Sequence, residues 1–185
     1  MTTDPAPATL TEGVSTGRRV ALLAGAGLAA AGLGAAGGYW WLSHGAVEGA
    51  ESVLLGASFE ALDGKTMPIS TWRGKSLVVN FWATWCGPCR EEMPDFVTAQ
   101  KDFGGKGLQF VGIAVDRREP VERFVEEIGV NYPVLLADVA WLDELKTMGN
   151  PQSVLPFSLA VSPAGEVLLR RVGRLKYSEI ASMIG

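Results

Sequence analysis

The longest uninterrupted apolar stretch of the chain lies close to its N-terminus. Residues 20–42 contain no ionisable side chain other than Tyr39, and at about 1.5 Å per residue a helix of this length spans the apolar core of a bilayer. Arg18 and Arg19 precede the stretch, and acidic residues are the first charges after it, so the distribution of Arg and Lys places the N-terminus in the cytoplasm. The pattern predicts a disordered cytoplasmic tail over 1–19 and one transmembrane helix over 20–42.

A cleaved export signal is the alternative for this stretch, because Gly17-Arg18-Arg19 followed by apolar residues also resembles a twin-arginine leader. The pair Trp40-Trp41 at its far end is typical of a membrane interface, and no small-x-small cleavage site follows directly. Retention as an anchor is therefore favoured. Either arrangement places the remaining chain outside the cytoplasm, as a polar linker over 43–52 and a domain over 53–185.

Beyond the linker, short apolar runs alternate with amphipathic segments, which indicates an α/β fold. The run Leu77–Trp82 is interrupted only by Asn80 and predicts a buried strand, and the helix formers over 90–100 predict a helix after it. A second buried strand is predicted over 108–115, and strand, helix and strand in this order form a parallel pair with a right-handed crossover. The other predicted elements are two extended segments between 53 and 69 around the turn Asp63-Gly64 with Pro68 at a sheet edge, a helix over 120–128, a strand over 133–137, a helix over 141–148, a strand pair over 154–161 and 167–172, and a final helix over 177–184.

The composition limits the possible function classes. Of 185 residues, 48% are apolar and 9% aromatic, which is enough to build the core of one domain. The net charge is −4, and acidic and basic residues are interspersed without a basic cluster. A nucleic-acid partner is therefore not expected.

Both cysteines of the chain lie where the first buried strand meets the first helix. Cys86 is predicted at the helix N-terminus with Cys89 one turn inside, and residues three apart share a helix face, so the two sulfur atoms can meet. Unpaired backbone N–H groups and the helix dipole favour a thiolate there, which makes Cys86 the expected nucleophile and the deeper Cys89 the resolving thiol. Pro88 suits the first helical turn, and Gly87 leaves room for a partner protein to approach the sulfur.

Two cysteines at this spacing can also bind a metal ion or form a structural disulfide. Zinc needs four ligands, and the chain offers only one further candidate, His44, far upstream in the linker. An inert structural disulfide would close too short a loop to remove much chain entropy. A binding module or chaperone that holds Cu(I) between the two sulfur atoms remains open. A thiol peroxidase is disfavoured because a Thr-x-x-Cys motif is absent.

The run over 80–94, Asn-Phe-Trp-Ala-Thr-Trp-Cys-Gly-Pro-Cys-Arg-Glu-Glu-Met-Pro, resembles the membrane-anchored, thioredoxin-like thiol-disulfide oxidoreductases of bacteria, the TlpA and ResA type. The likeness extends over about residues 53–185. It implies a thioredoxin-like fold, with a central mixed sheet flanked by helices, an N-terminal β-hairpin and an inserted αβ element. It also implies a redox-active Cys86–Cys89 disulfide and a protein disulfide oxidoreductase that needs no metal or organic cofactor.

The resemblance also suggests partners and a location. Gly-Pro between the cysteines is similar to the reducing members of the superfamily, so a reductase fed by a membrane electron donor of the thiol-disulfide type is favoured. The expected clients are proteins with disulfides or thiols, as in cytochrome c maturation or respiratory oxidase assembly. The implied location is the bacterial inner membrane, single-pass, with the catalytic domain in the periplasm.

Site residues follow from the same resemblance. Pro156 matches the cis-proline that packs beside the disulfide, and Leu155 before it is expected to offer backbone groups to an extended substrate segment. Glu92 matches a glutamate that lies near the disulfide and tunes it, with a solvated helix charge like Glu91 as the alternative. Asn80 stands where thioredoxins carry a buried aspartate, and an amide cannot carry a proton.

Aromatic residues around the motif are expected to have different roles. Trp85 is expected to shield Cys86, whereas Trp82 is expected to pack in the core. Phe157, where the family usually has Thr, is expected to narrow the binding groove or favour an apolar partner. The residues predicted to contact substrate are Trp85, Gly87, Pro88, Leu155 and Pro156.

Overall fold

The structure, a computed structural model, describes residues 49–184. The predicted tail over 1–19, the predicted transmembrane helix over 20–42 and most of the predicted linker lie outside these residues. Between residues 49 and 184 no helix has the length and apolar character needed to cross a membrane.

One mixed sheet of seven strands organises the described chain. Its strands lie in the order β2-β1-β5-β4-β3-β6-β7. β3, β4 and β5 are parallel to one another, and every other neighbouring pair is antiparallel. The strands are β1 (Ser58–Ala61), β2 (Thr66–Pro68), β3 (Ser76–Trp82), β4 (Leu108–Ala114), β5 (Val134–Leu136), β6 (Phe157–Val161) and β7 (Val167–Val172).

Five α-helices accompany the strands in the described part of the chain. The predicted parallel pair of buried strands, the two hairpins, the edge position of Pro68 and the inserted helix and strand are all confirmed. The helices are α1 (Ala50–Gly56), α2 (Gly87–Phe103), α3 (Arg118–Ile128), α4 (Trp141–Thr147) and α5 (Tyr177–Ile184), with 3-10 turns at Ile69–Trp72 and Gly104–Lys106.

Helix α1 differs from the sequence prediction. It begins inside the predicted linker over 43–52, and it includes Val53–Gly56, for which the sequence predicts part of an extended segment. Leu54 and Leu55 are buried against Ile69 and Trp72 in the core, so tertiary packing supplies the stability that such a short helix lacks by itself.

The end of α2 also differs in detail. The helix runs to Phe103, beyond the predicted range 90–100, and Gly104 has a right-handed backbone (φ −57°) and begins a 3-10 turn. The left-handed residue is Gly107, with φ +96°, where glycine avoids the strain that a side chain would cause.

Two apolar clusters cover the two faces of the sheet, and the alternation of β3 divides its side chains between them. The cluster on the face away from the cysteines, here called the opposite cluster, contains Leu77, Val79 and Phe81. Val78 and Trp82 belong to the disulfide-side cluster, which contains both cysteines together with residues of α2, α3 and α5. A strand buried on both faces reads as one continuous apolar run, which explains the sequence pattern.

Phe157 packs in the opposite cluster and has no exposed surface. Its ring centroid lies 6.3 Å from that of Phe81, its partner on the neighbouring strand β3. The expectation that Phe157 narrows a binding groove or favours an apolar partner is therefore wrong, because the ring faces the core on the side of the sheet away from the disulfide.

Replacing Phe157 with Ala should lower the free energy of unfolding by about 3–5 kcal/mol, because the change leaves a cavity between the sheet and its covering elements. Leu168→Ala is the control. Leu168 lies on edge strand β7 and is 48% exposed, so its replacement should lower the free energy of unfolding much less. Urea unfolding of both variants with the disulfide intact measures the difference, and similar losses for both would contradict the packing described.

Candidate active site

The disulfide lies at the N-terminus of α2, shortly after the end of β3. Cys86 is the N-cap residue of α2, with an extended backbone (φ −88°, ψ 105°), and its Sγ accepts a hydrogen bond from the Cys89 N–H at 3.3 Å. The sulfur atoms of Cys86 and Cys89 are bonded to each other, with their Cα atoms 5.3 Å apart. Pro88 occupies the first turn of the helix, where its missing N–H has no helical partner to lose. The sequence prediction of a helix N-terminus at Cys86 is therefore confirmed.

The two sulfur-bearing residues differ in exposure. Cys86 is 6% exposed and Cys89 has no exposed surface, so only the first offers a surface to a partner. Trp85, directly before Cys86, is 67% exposed. A Cβ placed on Gly87 would meet no atom within 4 Å, which leaves the approach to the N-terminus of α2 open.

Glu92 lies on α2 one turn beyond Cys89 and is completely buried. Its Oε1 accepts a hydrogen bond from Asn80 Nδ2, and its Oε2 accepts one from the Leu175 N–H, each at 2.8 Å. Glu91, by contrast, is exposed and forms an ion pair with Arg174 at 2.7 Å. The reading of Glu92 as a solvated helix charge is therefore wrong.

Burial controls the protonation of Glu92. Loss of solvation raises the pKa of this carboxyl from 4.5 to about 7, and the nearby charge of Asp95 acts in the same direction. The hydrogen bonds from Leu175 and Asn80 and the charge of Arg174 oppose the rise in pKa. The result is a buried group that exchanges protons near neutral pH, one turn from the resolving cysteine.

The peptide bond between Leu155 and Pro156 is cis, as the sequence prediction required. It precedes β6, the antiparallel neighbour of β3, and the Pro156 carbonyl accepts a hydrogen bond from the Gly173 N–H at 2.8 Å. The Leu155 side chain packs against the disulfide-side cluster. Within residues 49–184 its backbone N–H and C=O have no hydrogen-bond partner. They are therefore available to an added strand.

Comparison with known proteins agrees with this geometry. The model of the redoxin family matches residues 51–184. The chain belongs to the redoxin family. The thiol-disulfide oxidoreductase ResA of Bacillus subtilis (strain 168) is 32% identical over 139 residues, which cover 71% of this chain and 75% of ResA. The ResA of Oceanobacillus iheyensis is 31% identical over 58% of this chain and 55% of its own length.

Solved structures similar to this redoxin give the same picture. A thiol:disulfide interchange protein of the thioredoxin family from Chlorobium tepidum TLS is 33% identical, with a TM-score of 0.58 over 69% of this chain and 92% of that one. A thioredoxin-related protein from Neisseria meningitidis serogroup B is 29% identical, with a TM-score of 0.61 over 68% and 95% of the two chains. The predicted thioredoxin-like fold and the TlpA/ResA-type resemblance are thus confirmed, and this redoxin is a thiol-disulfide oxidoreductase.

Two polar residues of this redoxin hold the loops around the disulfide, and sequence reasoning missed both. Asp116 accepts hydrogen bonds from the backbone N–H and the hydroxyl of Thr84, which fixes the segment just before the cysteines. Asn150 is fully buried and binds the backbone of Val154 through both ends of its amide, at 2.7 and 3.3 Å. For Asn150, the signal available in the sequence was a polar side chain shortly before the cis-proline.

No group of three or more metal-ligating side chains occurs in the part of the redoxin that the structure describes. The site there consists of the Cys86–Cys89 pair, the carboxyl of Glu92 and the cis-proline loop. Of the predicted substrate contacts, Trp85, Gly87 and Pro88 are exposed and directly flank Cys86 in the chain, whereas Leu155 is half-buried and Pro156 is buried.

The raised pKa of Glu92 makes the stability of this redoxin depend on pH. The folded-state pKa is about 7 and the ordinary value 4.5, so the folded state binds the extra proton. The contribution of Glu92 to stability is therefore fully present below pH 4.5 and is lost as pH rises through 7. The expected loss in the free energy of unfolding between about pH 5 and pH 8 is about 2.5 kcal/mol. Chemical unfolding across this pH range measures it.

Glu92→Gln should remove this part of the pH dependence, since an amide does not titrate. The matched control is Glu91→Gln, which changes the exposed neighbour and should leave the pH dependence as in the wild type. Equal pH profiles for wild type and Glu92→Gln would show that Glu92 does not titrate in this range.

Proposed function

We propose that this redoxin is an extracytoplasmic reductase of protein disulfides in which Cys86 attacks and Cys89 resolves. The Cys86 thiolate attacks one sulfur of a client disulfide and expels the other as a thiolate, forming a mixed disulfide. The Cys89 thiolate then attacks the Cys86 sulfur and releases the second client thiol. The client gains two electrons, and the redoxin is left with the Cys86–Cys89 disulfide.

The observation that carries this proposal is the position of Cys86 as the N-cap of α2, with the larger exposure of the two cysteines. The N-terminal N–H groups and the positive end of the helix dipole stabilise a thiolate at this point. Cys89, one turn inside and fully buried, can reach the sulfur of Cys86 but not that of a client.

Glu92 is proposed as the proton acceptor of Cys89. Residues three apart on a helix are neighbours, so the side chain of Glu92 is within reach of the resolving thiol. A group with a pKa near 7 can accept a proton from a thiol and return it at the same pH. Asn80, in place of the aspartate of thioredoxins, cannot carry the proton and instead donates a hydrogen bond to Glu92.

Client binding is proposed on the exposed surface around Cys86. The unpaired backbone groups of Leu155, next to Pro156, would pair with an extended client segment, as in β-strand addition. Trp85 supplies exposed aromatic surface, and Gly87 with Pro88 leaves the approach to Cys86 free of side chains that obstruct it.

The direction and location of the reaction are part of the same proposal. Gly87-Pro88 between the cysteines favours reduction, so a membrane electron donor of the thiol-disulfide type would return the protein to the dithiol form. The clients would be cysteines that bind haem in cytochrome c maturation or copper in respiratory oxidase assembly. The apolar stretch over 20–42 would hold the domain to the outer side of the bacterial inner membrane.

Cys89→Ser should trap clients. With the resolving thiol absent, the mixed disulfide through Cys86 persists, so client proteins should remain covalently attached in cells and be released by a reductant. Cys86→Ser is the matched control, and it should trap nothing and reduce insulin no faster than the uncatalysed reaction. Mass spectrometry of the trapped species identifies the clients.

The Cu(I)-binding alternative makes a different prediction for the wild-type chain. A chaperone would bind Cu(I) tightly through both sulfur atoms and reduce insulin at a negligible rate. Tight Cu(I) binding without disulfide turnover in the wild-type chain would replace the reductase proposal.

The proposed location predicts activity of a reporter outside the cytoplasm. Alkaline phosphatase fused after residue 185 should be active, because its disulfides form only in an oxidising compartment. The same fusion to a chain that begins at residue 43 is the control and should be inactive. Phosphatase activity from the control, or none from the full-length fusion, would contradict the location.

A further inference from the structure

The neighbouring strands β3 and β6 each bring one buried polar side chain into an apolar interior. Asn80 on β3 is 2% exposed, Ser158 on β6 has no exposed surface, and the two residues are direct partners in the antiparallel ladder between the strands. Every other residue of β6 is apolar and buried. Side chains of ladder partners project from the same face of a sheet, so Asn80 and Ser158 meet on the face that α2 covers.

The amide nitrogen of Asn80 connects Ser158 to Glu92. Asn80 Nδ2 donates to Glu92 Oε1 at 2.8 Å and to Ser158 Oγ at 3.0 Å. An amide nitrogen carries two hydrogens and no acceptor site, so these two bonds use its whole capacity. A carboxylate has no hydrogen to donate, so the nitrogen end of the amide faces Glu92 while that group is charged. Ser158 Oγ is then the acceptor of the second hydrogen.

Burial makes this second hydrogen bond important. A buried N–H without an acceptor is costly, so without the Ser158 oxygen the Asn80 amide would regain a full set of hydrogen bonds only by turning away from Glu92. With the oxygen in place, the position in which Asn80 donates to Glu92 also satisfies the second N–H. The donor on the carboxyl therefore depends on a residue that forms no hydrogen bond with the carboxyl itself.

Several charged or titratable groups face this network from the surrounding elements. They are Asp95 of α2, Arg174 before α5, Tyr132 before β5, and Arg171 of β7 with its ion-pair partner Glu179 of α5. None of these groups forms a hydrogen bond with Asn80 or Ser158. The two cysteines do not titrate while they are bonded to each other. In the oxidised chain, a replacement of Ser158 by an apolar residue therefore changes hydrogen bonding near Glu92 without changing any charge.

We propose that Ser158 is a positioning residue for Glu92: by accepting one hydrogen of the Asn80 amide, it holds the other hydrogen on the Glu92 carboxyl. A donor to a carboxylate stabilises its charged form. Ser158 therefore offsets part of the burial that favours the neutral acid, although it lies on the strand beyond Asn80. For thiol exchange, this inference rests on the proposed role of Glu92 as proton acceptor of Cys89.

Ser158→Ala removes the acceptor and changes the volume little, so the titration midpoint of Glu92 should rise by about half a pH unit as the carboxylate loses its donor. The measurement is carboxyl carbon NMR of the full-length oxidised chain labelled at glutamate Cδ, with the Glu92 resonance assigned from its loss in Glu92→Gln. Ser162→Ala is the matched control, because Ser162 Oγ accepts from the Glu166 N–H in the turn after β6 and its removal should leave the midpoint unchanged. An unchanged midpoint in Ser158→Ala overturns the proposal.

A double-mutant cycle tests whether Ser158 acts through Asn80. Asn80→Ala removes the donor to Glu92, so in that background Ser158→Ala should change the midpoint no further. Equal shifts with and without Asn80 would show that Ser158 acts on Glu92 by another route, which also overturns the proposal.

A wild-type measurement keeps the test decisive where a variant does not fold. Both Nδ2 hydrogens of Asn80 should be protected from exchange with water, and their resonances should shift as Glu92 titrates. Exchange of either hydrogen as fast as in a free asparagine side chain overturns the proposal. None of these readouts uses disulfide exchange, so the expected shifts in a protein that reduces no client would reject the reductase and retain the role of Ser158.

Discussion

A buried carboxyl held by two hydrogen bonds is the constraint on which the site depends. Glu92 lies on the helix that carries the cysteines, Asn80 donates to it from the central strand, and the Leu175 N–H donates to it from the segment before the last helix. Three parts of the chain that are distant in sequence therefore meet at one group. The same burial that raises its pKa to about 7 makes it suitable for proton exchange with a thiol.

The central strand β3 contributes side chains to the apolar clusters on both faces of the sheet. On one face its side chains build a core with α1, α4 and Phe157, and this core contains none of the proposed chemistry. On the other face Asn80 and Trp82 stand beneath α2, so the strand that leads into Cys86 also supplies the groups around Glu92. Packing against the sheet thus fixes the N-terminus of α2. Cys86 is held at this end of the helix, where a thiolate is stabilised.

Buried or partly buried polar side chains fix the loops on either side of the disulfide. Asp116, just after β4, holds the segment at Thr84, and Asn150 holds Val154 just before the cis peptide bond. Both are side chains that bind backbone groups across a turn or between strands. Such bonds leave the backbone of Leu155 in a defined place without using its own hydrogen-bonding groups, which the proposed client segment would pair with.

The sequence by itself determined the elements and the chemistry of the cysteines, because both depend on local pattern: apolar runs for strands, amphipathic spacing for helices, and two cysteines at the start of a helix. The family resemblance that residues 80–94 carry also predicted the cis peptide bond before Pro156. Only the tertiary structure decided that Val53–Gly56 is helical, that Phe157 faces the core, and that Glu92 is buried beside Asn80. Each of these depends on which surfaces pack together across long sequence separations, and burial of a carboxyl or an aromatic ring is a property of that packing rather than of the residue type.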